Sequence, residues 1–152
     1  MPAQTGEEPA ERESCRDLVV WQKAVDLVVE CYRATRVFPK RETFGLSSQL
    51  QRAAVSIPAN IAEGRAKQHR REFLRHLSIA SGSLAELETH ILLAERLNYL
   101  ERAEGHSLLD RTAEIGRMIN GLRRSLGKRQ AKDLTGGEGS RGNWGVGNVI
   151  GK

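Results

Sequence analysis

Phe73, Leu77, Ala80, Leu84, Leu87, Ile91 and Ala94 follow one another at steps of four and three without a miss. Residues spaced in this way fall on one side of an α-helix but on both faces of a strand, so the pattern commits about 70–97 to a helix with one long buried stripe. Asn98 tolerates the left-handed conformation that closes a helix, and Tyr99-Leu100 can fold back on it. About 18–37 carries Val20, Ala24, Leu27, Cys31 and Ala34 at the same steps, with Trp21, Val25, Val28, Tyr32 and Thr35 beside them. Two adjacent seams predict a wide apolar face, and Phe38-Pro39 ends the run. About 46–67 aligns Leu50, Ala53, Ile57, Ile61 and Gly64. Pro58 lacks the amide hydrogen that would bond the Ala54 carbonyl, which predicts a kink or restart near Ile57. About 101–126 aligns Leu108, Ile115, Ile119, Leu122 and Leu126, with Gly127 just past its expected end. Strand alternation is nearly absent. Short connections between long helices imply antiparallel neighbours, so the expected fold is all-α, an antiparallel up-down-up-down four-helix bundle with a kinked second helix. Ile79, Leu92 and Leu93 lie off the main seam of the third run. With the double seam of the first run they point to self-association, the alternative being that the first and third helices are central in their own bundle.

Charge divides the 152-residue chain into three zones. Residues 1–17 hold five acidic and two basic side chains and almost no large apolar one, which predicts a disordered acidic N-terminal segment. Residues 127–152 hold eight of the fifteen glycines and a small positive excess, which predicts a flexible Gly-rich basic tail. Residues 18–126, with seventeen basic and twelve acidic side chains, are the expected bundle domain. No stretch approaches the roughly 18 apolar residues of a membrane span, and the acidic opening argues against a secretory leader. Cys15 and Cys31 fit neither a Cys-x-x-Cys pair nor a disulfide scaffold, so a reducing, cytoplasmic setting is expected.

No pattern supports enzyme chemistry. His69, His76, His90 and His106 form no His-x-x-x-His pair and sit near no cysteine, so neither a metal site nor any other cofactor is expected. Glu72 and His76 are four apart where the carboxylate-histidine motif of di-iron bundles needs three. Ser78, Ser81, Gly82 and Ser83 lie inside the third helix, where small side chains allow close helix approach, and no serine sits in a Gly-x-Ser-x-Gly elbow. No phosphate-binding glycine loop follows a strand.

The basic cluster differs. Residues 65–76 contain Arg65, Lys67, Arg70, Arg71 and Arg75 against Glu72 alone, at one helix–helix turn. Cations beside a helix N-terminus oppose the macrodipole, so helix stability does not account for them. Phosphates would, with affinity from neutralisation rather than base reading. Phe73, the one aromatic in the cluster, belongs to the core stripe, so stacking on unpaired bases is not expected. A second basic group, Arg33, Arg36, Lys40 and Arg41, closes the first helix, where cations complement the helix C-terminus.

Three separated stretches carry a resemblance: Leu18 to Ala24, Gln49 to Gly64, and Phe73-Leu74 through Gly82-Ser83-Leu84-Ala85-Glu86-Leu87-Glu88-Thr89. Over about 18–126 the chain resembles the four-helix bundle proteins encoded in intervening sequences of bacterial 23S ribosomal RNA genes. That family is similar to the accessory variability determinant of diversity-generating retroelements. The resemblance implies a homopentamer whose basic surface binds nucleic acid, with a reverse transcriptase as a possible protein partner. It marks Arg52, Pro58, Asn60, Glu63, Gly64, Gly82, Ser83 and Glu86 as structural signature positions. Asn60 and Glu63 are expected to satisfy backbone groups at the proline, and Arg52 to pair with a carboxylate such as Glu86. Asn98 stands where glycine is common in the family, and the Gly-rich tail is not a family feature.

Two functions follow. One is a non-enzymatic homo-oligomer that binds structured RNA or an RNA–DNA hybrid through the 65–76 cluster. The other is an oligomeric protein–protein scaffold whose charge serves solubility.

Overall fold

The computed structural model describes residues 9–136, without the side chains of 9–16, Gln130 and Gly136. The acidic N-terminal segment over 1–8 and the Gly-rich tail over 137–152 lie outside the described residues. Those described form four helices and no strand: α1 (Pro9–Thr35), α2 (Leu46–Ala66), α3 (Arg70–Arg96) and α4 (Arg102–Gly136), with a 3-10 turn at Lys40–Glu42. α1 and α3 each pack against both α2 and α4, which places them across from one another.

Every residue of the four main apolar stripes is buried, among them Leu27, Leu50, Leu77, Leu87, Ile91 and Ile119 with no exposed surface. Thr112 fills the gap that the α4 stripe leaves between Leu108 and Ile115. It is fully buried, and its hydroxyl donates to the Leu108 carbonyl at 2.8 Å, satisfying a polar atom that would otherwise be costly there. The second seam of α1 is only partly covered: Thr35 is buried and Val28 packs on the core, but Trp21 and Tyr32 remain exposed, as do Val55 on α2 and Ile79, Leu92 and Leu93 on α3. Burial, reinforced by the Glu30 charge, pushes the Cys31 thiol up to about 12, so it stays neutral and unreactive under ordinary conditions.

Two helix ends differ from expectation. α1 begins at Pro9 rather than near 18. A first-turn proline needs no amide donor, Ala10-Glu11-Arg12-Glu13 are good helix formers, and Asp17 is anchored 3.2 Å from Arg65. α4 passes Gly127 and runs to Gly136. One glycine costs about 1 kcal/mol, which Lys128-Arg129-Gln130-Ala131-Lys132 offset by their helix propensity. α2 runs through Pro58 as one helix without a restart.

The turns form as their residues dictate. Asn98 takes φ 59, and the Tyr99 and Asn98 amides donate to the Ala94 and Glu95 carbonyls at 2.9 and 3.0 Å, a complete Schellman closure. Gln68 takes φ 56 in the tight turn from α2 to α3. At the opposite end Tyr99 knits two loops: its ring lies 5.5 Å from Phe38, Arg41 sits 5.9 Å over it, and its hydroxyl donates to Glu42 at 3.2 Å.

Candidate nucleic-acid interface

Gly64 sets the distance between α2 and α3 where the candidate site begins. A Cβ built on it would stand 2.6 Å from the Cβ of His76 and 3.0 Å from the Phe73 ring. That approach lets a polar chain cross the two helices. The Ser83 and Ser56 hydroxyls lie 2.8 Å apart, and the Asn60 amide donates to the Ser56 hydroxyl at 3.0 Å and to the Ser56 carbonyl at 2.8 Å. The Asn60 carbonyl is then an acceptor, which assigns the proton to Nδ1 of the buried His76, 3.0 Å away. On its other side His76 Nε2 lies 3.3 Å from an Arg75 nitrogen. Asn60 and Ser83, read as signature positions, thus connect the α2–α3 core to a cation of the cluster. Ser56 and His76, which complete the chain, have no sequence motif of their own.

Two expected pairings are corrected. Arg52 is exposed and makes no ion pair with Glu86, whose carboxylate lies 3.3 Å from His90 one turn further along α3. Glu63 does not serve the proline; it faces Lys67 at 3.8 Å and His76 at 3.9 Å. Gly82 has open space where its Cβ would be.

The structure gathers Arg65, Lys67, Arg70, Arg71 and Arg75 at one end of the molecule, but not as bare charge. Arg65 reaches the buried Asp17 of α1, and Arg70 is ion-paired with Asp133 of α4. Lys67 lies 3.4 Å and Arg75 3.1 Å from Glu72, whose carboxyl is held below its usual range mainly by the Arg75 hydrogen bond. A window of twelve residues contains one acid; the folded end brings in three more from elsewhere. Arg71 alone of the five has no ion-pair partner among the described residues.

Sequence reading missed what α4 adds. From Ile115 to Lys132 it carries Arg117, Arg123, Arg124, Lys128, Arg129 and Lys132 and no carboxylate. The assumed helix end at 126 had divided this run between two zones. Arg123 joins Arg71, Arg75, Ser78 and the Glu72 carboxylate around a depression of about 500 Å³ and donates to Ser81 at 3.5 Å. Arg129 joins Arg65, His69 and Arg70 around another of about 530 Å³. Among the described residues, no group of three or more His, Cys, Asp or Glu side chains is placed to hold a metal ion, and no helix is long and apolar enough to cross a membrane.

The architecture is that of a small all-α protein built on four packed helices. Residues 16–121 match the family described as 23S rRNA-intervening sequence protein, and the chain belongs to that family. A solved structure from Bacteroides thetaiotaomicron, described as a protein with unknown function from the S23 ribosomal protein family, is similar at 27% identity with a TM-score of 0.67. The match covers 72% of this chain and 98% of that one. No curated protein matches.

Proposed function

We propose that this chain is a non-enzymatic, cytoplasmic, homo-oligomeric accessory protein that binds structured RNA or an RNA–DNA hybrid at the basic end of its bundle. The observation that carries the reading is the convergence of Arg71, Arg75 and Arg123 from two helices around one depression, with Arg71 free of any ion-pair partner among the described residues. Convergent guanidinium groups with little aromatic surface suit phosphates, read for charge rather than sequence.

The helices are antiparallel in this reading. The start of α1 meets the end of α2 at Asp17 and Arg65, its end meets the start of α2 at Thr35 and Gln51, and α3 and α4 meet at Arg70 and Asp133. Pro58 bends α2. The exposed Leu18, Trp21 and Tyr32 of α1 and Val55 of α2 support burial against another copy, and the family resemblance supplies the number five. By the same resemblance the protein assists a reverse transcriptase or acts with ribosomal RNA intervening sequences. The exposed apolar side chains equally favour the second reading, an oligomeric protein–protein scaffold, and charge reversal separates the two. Combined Arg70→Glu, Arg71→Glu and Arg75→Glu is expected to lower retention on immobilised duplex RNA by roughly a hundredfold or more, since affinity for nucleic acid rests on phosphate neutralisation. The helical circular dichroism and the oligomer mass should not change. Unchanged retention rejects this end of the bundle as the site.

A further inference from the structure

We infer that the outward face of α4 is a phosphate-tracking ridge that carries most of the electrostatic contact with base-paired nucleic acid. This rests on the reading just given and names the surface that performs it. Arg117, Arg124, Lys128 and Lys132 follow at steps of seven, four and four, and all four are exposed. These steps keep them on one face, opposite the buried Ile115, Ile119, Leu122 and Leu126. Arg117 lies within electrostatic reach of Glu114. Arg124, Lys128 and Lys132 have no side-chain partner among the described residues.

Helix stability does not account for the ridge. Cations favour a helix C-terminus only within about its last turn, and α4 ends at Gly136, two turns beyond Lys128 and three beyond Arg124. Like charges four apart, as Arg124, Lys128 and Lys132 are, cost a helix about 0.2–0.5 kcal/mol per pair. The turn cluster, by contrast, has been given Asp17, Glu63, Glu72 and Asp133 as counter-charges. Arg71 apart, the uncompensated charge of this end lies on α4.

The geometry selects the partner. Four helical residues rise about 6 Å, so the three ridge cations span about 12 Å, over which each strand of a DNA duplex presents three to four phosphates at about 3.4 Å along its axis, and the shorter-stepped A-form of RNA about four. The ridge is convex and carries no aromatic side chain between Ile115 and Lys132, so it offers nothing for an unpaired base to stack on. A regular, base-paired phosphate backbone is the polyanion that fits.

The test compares wild type with the Arg124→Ala, Lys128→Ala, Lys132→Ala triple variant, whose exposed helical positions accept alanine. Fluorescence anisotropy reads affinity for a labelled RNA duplex of about 20 base pairs between about 50 and 200 mM salt. The expected result is loss of roughly 2 to 3 units from the slope of log affinity against log salt, at about 0.7–0.9 per phosphate contact. Arg33→Ala, whose arginine is paired with Glu30 at the other end of the bundle, should leave the slope nearly unchanged. A triple variant that keeps the wild-type slope overturns the ridge, and if charge reversal at Arg70, Arg71 and Arg75 still weakens binding, the proposed function stands without it. Wild type that ignores the duplex overturns both. Wild type that binds anionic phosphatidylserine vesicles as tightly as RNA overturns the choice of partner.

Discussion

Leu87→Ala should lower the unfolding free energy by about 2–5 kcal/mol, because it removes a buried side chain and leaves a cavity that a close-packed bundle relaxes into only partly. Leu87 has no exposed surface and lies at the middle of the α3 stripe, with Leu84 and Ile91 in the same core cluster. The loss should appear in urea titration as a lower midpoint with an unchanged slope, since the surface exposed on unfolding stays nearly the same. Leu92→Ala, one helical step away from the stripe and exposed, should cost less than about 0.5 kcal/mol in the isolated subunit. Equal costs at the two positions would refute the assignment of the α3 stripe to the core.

Gly64→Val is expected to cost at least about 3 kcal/mol, at the upper end of overpacking penalties. Valine's Cβ alone would fall 2.6 Å from the Cβ of His76, an atom fixed to the α3 backbone, so the helices must separate or the Asn60–His76 hydrogen bond must break. Gly82→Val provides the contrast. Nothing lies within 4 Å of its Cβ position, so the isolated subunit should lose little and gain some helix propensity. Both glycines carry the family resemblance, but only Gly64 is required by packing within one chain. Thermal unfolding in dilute solution reads the difference, and a Gly64 variant as stable as wild type would remove the close α2–α3 approach from the account.

Most of the fold was legible because apolar spacing reports helix faces directly. The stripes on all four helices were named residue by residue from periodicity, and the left-handed Asn98 from its chemistry. Thr112 was not, since a polar residue in a core position gives no apolar signal until its hydroxyl is seen to bond one turn back. Helix ends were the weakest part. Acidic composition hides the start of α1, where Asp17 pairs with Arg65 of α2, and Gly127 reads as a stop that the following helix formers override.

The candidate site was legible as a set of cations and illegible as an electrostatic surface. Counting charge along residues 65–76 finds Glu72, but Asp17 and Asp133 reach the cluster only through folding, Asp133 from 63 residues beyond Arg70. The polar chain from Ser83 through Ser56 and Asn60 to His76 joins two helices and follows no local spacing. The acid-free run on α4 was in the sequence throughout; an assumed domain boundary cut it in two.

Binding of a polyanion by an assembled form of this chain is tested most directly by sedimentation velocity with a labelled RNA duplex at about 50 and about 200 mM salt, where phosphate contacts are strong and weak respectively. The expected result is RNA that co-sediments with a protein species several times the 16.9 kDa chain mass at the lower salt and is released at the higher. RNA that sediments alone at both concentrations, beside protein of single-chain mass, would contradict the account.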